Sequence, residues 1–95
     1  MERVILVSVC LKNQHTNEES LEELHRLAHT AGAEVVHVWR VRVQAFSAAA
    51  LIGSGKMEEI AQDVRLTDAQ AVIFDDEISP AQQKNLEKVI PAKVT

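Results

Sequence analysis

At 95 residues, 46% hydrophobic and 25% charged, the chain has room for one domain at most and is too apolar for a disordered one. Its formal net charge of −4 argues against a generic polyanion-binding module, although a local basic patch stays open because the sum hides distribution. The single cysteine allows no internal disulfide and favours a reducing, cytoplasmic setting.

Met1-Glu2-Arg3 leads straight into a strand-like run without a signal-peptide pattern, and no apolar stretch approaches the roughly 20 residues of a membrane span. Val4 to Val9 is apolar except for Ser8, as expected of a strand covered on both faces. After the polar loop Lys12 to His15, Thr16 and Glu19 have capping-box spacing and open a helix. Leu21, Leu24, Leu27, Ala28 and Ala31 form its apolar stripe, and Gly32 stands where a left-handed terminator belongs. Glu34 to Val43 is the second strand. Its first half is apolar on both faces, and its far end alternates as it leaves the covered sheet.

The pattern fails from Gln44 to Ser54, and a second helix runs from about Lys56 to Leu66. Met57, Ile60, Ala61 and Val64 face inward, and Glu58 and Glu59 suit the dipole of its first turn. Ala71 to Phe74 is a short buried strand, followed by Asp75, Asp76 and Glu77. Ser79 then caps a third helix, with Pro80 at its first position and Gln82 completing a capping box. This helix packs through Leu86, Val89 and Ile90, Pro91 ends it, and Lys93-Val94-Thr95 begins a fourth strand. The order βαβαβαβ predicts an α/β fold: a small four-stranded parallel sheet with helices packed on its faces. Stopping as a strand begins points to a fragment.

Gly53-Ser54-Gly55-Lys56 at a helix start is an anion or nucleotide candidate: glycines free the backbone amides, the helix N-terminus favours negative charge and Lys56 adds a cation. It is no P-loop, because Ala50 stands where Gly is needed and Met57 where a hydroxyl is needed. The competing reading is a tight turn into a helix. Asp75, Asp76 and Glu77 offer oxygen ligands for Mg²⁺ at a strand end, set against a plain role at the helix N-terminus. Arg40, Arg42 and Lys56 bracket the irregular segment and would form an RNA-phosphate patch if the loop folds back, set against a plain solvated strand end. His25 and His29 lack a third metal ligand and read as a solvated face with Glu18 and Glu22. His37 reads as a hydrogen-bonded structural residue and Cys10 as a buried bystander.

Leu51-Ile52-Gly53-Ser54-Gly55-Lys56-Met57-Glu58-Glu59-Ile60, with Val72 through Glu87 and the Leu21-to-Val36 stretch, resembles the N-terminal domain of HflX-type GTPases. The Ser79-Pro80-Ala81-Gln82-Gln83-Lys84-Asn85-Leu86-Glu87 run carries the likeness most specifically. The resemblance implies that residues 1–95 form one N-terminal α/β domain, ahead of a helical hairpin and a G domain that lie outside this chain. It also implies a ribosome-associated protein that binds the large subunit and its RNA and splits stalled ribosomes. GTP and Mg²⁺ would belong to the G domain, so no cofactor, catalytic residue or metal is expected in these residues. Phe46-Ser47-Ala48-Ala49-Ala50-Leu51 departs from the family's usual Pro- and Asp-containing loop. The alternative reading is an autonomous nucleotide- or phosphate-binding α/β domain built on Gly53 to Lys56.

Overall fold

The computed structural model describes all residues, Met1 to Thr95. The elements follow in the order β1 (Glu2–Leu11), α1 (Glu18–Thr30), β2 (Ala33–Val43), α2 (Ser54–Thr67), β3 (Ala71–Phe74), α3 (Pro80–Val89) and β4 (Lys93–Val94). All strand pairs are parallel, in the spatial order β2-β1-β3-β4, so the expected α/β architecture is borne out.

The face each helix takes follows from that order. Crossovers between parallel strands are right-handed, so a helix changes face when the chain reverses its direction of travel across the sheet. The step from β1 to β2 goes one way, and the steps to β3 and β4 go the other. Accordingly α1 covers Val4, Leu6 and Ala71 through Leu24 and Ala28. α2 and α3 cover Ile5, Val7 and Val72 through Ile60, Ala61, Val64, Leu86 and Ile90. β1 is central, and Val4 through Cys10 are all buried.

β3 pairs with β1 only over Val4 to Val7, whereas β2 accompanies β1 to Leu11. The β1–β2 ribbon therefore extends beyond the sheet. One of its faces, at Val9 and Val41, is covered by Ala50, Leu51 and Ile52 of the loop instead of by a helix. The first half of β2 is only half-buried because the strand is an edge, and a bulge interrupts its register between Val4 and Ile5 of β1.

Three element details differ from expectation. The N-cap of α1 is Asn17, whose Oδ1 accepts from Ser20 N at 3.0 Å, while the Thr16 hydroxyl lies 3.8 Å from Cys10 Sγ. α2 starts at Ser54, which moves Glu58 and Glu59 out of the first turn. Leu27 is 59% exposed, since it lies well around the helix from the Leu21–Ala28 line that faces the sheet. The αL stop at Gly32 (φ 85°) and the Ser79–Gln82 capping box stand as read.

Candidate functional site

The loop from Gln44 to Gly53 is held in place by α3. Gln82 Nε2 donates to Ser47 O at 3.1 Å and Asn85 Nδ2 donates to Ala49 O at 2.9 Å. Within the loop, Ser47 and Leu51 exchange backbone hydrogen bonds of 3.2 and 2.8 Å, and the Ser47 hydroxyl accepts from Ala50 N. Closing this small loop puts buried Leu51 at φ 71°, a left-handed conformation that L residues adopt at a cost of about 1–2 kcal/mol.

On its other flank α3 grips β4. Gln83 Nε2 donates to Val94 O at 2.9 Å, and Glu87 accepts from Val94 N at 3.0 Å. Residues four apart on a helix share a face, so this pair brackets both backbone groups of one edge residue. Each polar side chain of Ser79, Gln82, Gln83, Asn85 and Glu87 thus has an identified internal bond. Sequence reasoning recognised the capping box and missed the four tethers, although the i, i+4 spacing of Gln83 and Glu87 was a visible signal.

The Gly53–Lys56 candidates sit at the α2 start. Gly53 is the N-cap with φ −74°, and no side chain caps the first-turn amides. Neither Gly53 nor Gly55 is in the left-handed region, and a Cβ at either would meet nothing within 4 Å. The glycines are therefore not demanded by the turn. Lys56 Nζ lies 3.0 Å from Glu59 and 5.7 Å from the centre of the Trp39 ring.

Arg40 and Arg42 are directed elsewhere. Successive strand residues face opposite sides, so Trp39 joins the α2 face while Arg40 joins the α1 face. Arg40 makes a two-pronged bond to Glu18 at 2.8 and 2.7 Å, and Arg42 donates to Gln14 O at 2.9 Å and to Lys12 O at 3.4 Å. The bond to Arg40 holds the Glu18 carboxyl below its ordinary range, and Glu18 in turn raises Arg40. The structure does not bring Arg40, Arg42 and Lys56 into one patch.

The acidic turn also divides. Asp75 lies beside Ser20, Glu23 and Leu24 on the α1 side, and its Oδ1 is buried without a hydrogen-bond partner. Asp76 and Glu77 line a cleft with Phe46 and Leu51 on the loop side. Desolvation, and then the charge of Asp75, push the Asp76 carboxyl above its ordinary range. No group of three His, Cys, Asp or Glu side chains is arranged to hold a metal ion.

A cluster that sequence reasoning missed joins β2 to α2. His37 Nδ1 lies 2.7 and 2.8 Å from the Asp63 oxygens, and Trp39 Nε1 donates to Asp63 Oδ2 at 2.7 Å. Asp63 is buried, and its place beside Ile60 and Val64 on an inward face was the available clue. His37 is a hydrogen-bonded structural residue as read, and Cys10 is buried as read.

Comparison with known proteins adds the remaining finding. Residues 18–95 match the family model for GTP-binding GTPase N-terminal domains. The chain is 37% identical over 95 residues to the GTPase HflX of Flavobacterium psychrophilum, covering 98% of this chain and 23% of that protein. It is 40% identical over 93 residues to the GTPase HflX of Lacrimispora saccharolytica, covering 98% and 22%. To the GTPase HflX of Escherichia coli it is 36% identical over 93 residues, again covering 98% and 22%. The chain spans under a quarter of the length of these curated relatives.

Proposed function

Because the chain belongs to the GTP-binding GTPase N-terminal family, as found in HflX GTPases, we propose that it is the ribosome-facing regulatory domain of such a protein. On this reading residues 1–95 are one domain that helps a cytoplasmic GTPase associate with the large ribosomal subunit and split stalled ribosomes. GTP and Mg²⁺ act in the G domain of the whole protein, and the helical hairpin and G domain are the neighbours of this domain. The phosphate-loop pattern of a G domain is not met in these residues: Ala50 and Met57 break it, and Lys56 is drawn toward Glu59 and Trp39.

The observation that carries the reading is the use of the family-like Ser79–Glu87 run. Gln82 and Asn85 hold the 44–53 loop at the C-terminal end of the sheet, so the segment leading into Gly53–Lys56 is built as a fixed surface. Candidate contacts to RNA phosphates are the uncapped amides of Gly53, Ser54 and Gly55 with Lys56. Arg40 and Arg42 contribute only by exchanging their internal partners for phosphate.

Co-sedimentation of the 95-residue chain with isolated large subunits across a salt series tests this. Association that weakens steeply with salt is expected. Absence of association at the lowest salt rejects independent ribosome binding by this domain.

The lack of a side-chain cap at Gly53 favours a second reading, an autonomous nucleotide- or phosphate-binding domain. Titration with GTP and with inorganic phosphate, followed by amide shifts at Gly53 to Lys56, separates it from the first. Binding that survives Lys56→Glu unchanged rejects this second reading.

A further inference from the structure

The strand order reverses between β1 and β3, and open parallel sheets bind ligands outside the carboxyl ends of their strands at such a point. Within this carboxyl-end region, the turn after β3 and the loop after β2 enclose an open cleft of ≈ 410 Å³, lined by Phe46, Leu51, Asp76 and Glu77 on the α2 and α3 side of the sheet. Phe46 is 47% exposed even though phenylalanine is normally sequestered. Its loop is tethered to α3, so the ring stands on a fixed support. The two carboxylates that share the cleft with it have no internal cation: the ion pairs of the molecule are His37–Asp63, Arg40–Glu18 and Lys56–Glu59.

We propose that this cleft is a docking surface for an arginine-bearing segment of a basic protein partner. A guanidinium offers a flat face to stack on Phe46 and forked N–H donors for Asp76 and Glu77, which an ammonium cannot match. Phosphate groups and acidic partners are repelled by the same carboxylates, and an apolar segment would leave them unpaired. The whole chain, at −4, attracts basic partners at long range. A cation seated here offsets the desolvation, and then the Asp75 repulsion, that disfavour a charged Asp76. The proposal stands on this cleft alone and does not depend on ribosome binding.

The test is fluorescence anisotropy of the 95-residue chain with a short labelled peptide alternating arginine and glycine. A lysine-for-arginine peptide and a single-stranded oligonucleotide serve as comparisons. Saturable binding is expected for the arginine peptide and weaker binding for the lysine peptide. Phe46→Ala and the double variant Asp76→Asn, Glu77→Gln should each weaken arginine-peptide binding by about tenfold. Since all three residues are exposed, these variants keep the fold, which their thermal melts verify. No binding, binding equal in parent and variants, equal affinity for both peptides, or displacement of the peptide by the oligonucleotide would each overturn the proposal.

Discussion

The indole of Trp39 and the carboxylate of Asp63 join the edge strand β2 to α2 through a bond of 2.7 Å, and His37 shares the same carboxylate. Asp63→Ala leaves the Trp39 N–H and the His37 ring without their acceptor. The expected loss is about 2–3 kcal/mol of unfolding free energy, with Asp63→Asn costing less because it keeps one acceptor oxygen. Trp39 is the only tryptophan, so urea unfolding followed by its fluorescence reports both the stability and the local change. Equal stability of parent and Asp63→Ala would mean that the cluster holds nothing.

The grip of Gln83 and Glu87 on Val94 closes one sheet edge without another strand. Exposed edges invite pairing between chains, so removing the grip should have two consequences. In Gln83→Ala, Glu87→Ala the Val94 amide should exchange with solvent roughly five- to tenfold faster, as expected when one hydrogen bond of about 1–1.5 kcal/mol is lost. Sedimentation at rising concentration should also show more self-association than the parent. Unchanged exchange at Val94 would refute the edge-closing role.

Leu51 combines burial with a left-handed backbone, and the two effects oppose each other on substitution. Trimming the side chain costs about 2–5 kcal/mol, whereas glycine relieves about 1–2 kcal/mol of backbone strain and alanine relieves none. Both Leu51→Ala and Leu51→Gly should therefore destabilise. The glycine variant should be the more stable of the two, by about 1 kcal/mol, in paired denaturant melts. An alanine variant more stable than the glycine variant would show that the loop relaxes out of this conformation.

Asp76 and Glu18 make opposite contributions to the pH dependence of stability. The folded chain holds a proton on Asp76 more tightly than the unfolded chain does. Its contribution is therefore full below the unfolded carboxylate midpoint and is lost as the pH rises through the higher folded one. Glu18 is held low by Arg40, so its contribution is present above the unfolded midpoint and lost as the pH falls through the folded one. Asp76→Asn should accordingly raise the thermal midpoint at neutral pH, with the gain shrinking toward acid. Glu18→Gln should lower the midpoint slightly at neutral pH and converge with the parent in acid. Gains and losses that ignore pH would contradict both assignments.

What could be read along the chain was what depends on near neighbours. Apolar runs, the Ser79–Gln82 box and the αL glycine at 32 act over a few residues, so they marked the strands, α3 and the end of α1. Competing local signals were harder: Thr16 and Asn17 are both good caps, and the contact between Thr16 and Cys10 sets them apart only once the chain is folded.

The amino-acid order by itself determined the parallel α/β class and the family, because both rest on local periodicity and on a contiguous motif. Strand order, the opposite faces of Arg40 and Lys56, the division of the acidic turn and the sharing of Asp63 were decided only by the tertiary structure. Each depends on residues far apart in sequence meeting across the sheet. There, right-handed crossovers and the strand pleat set which side chains share a face.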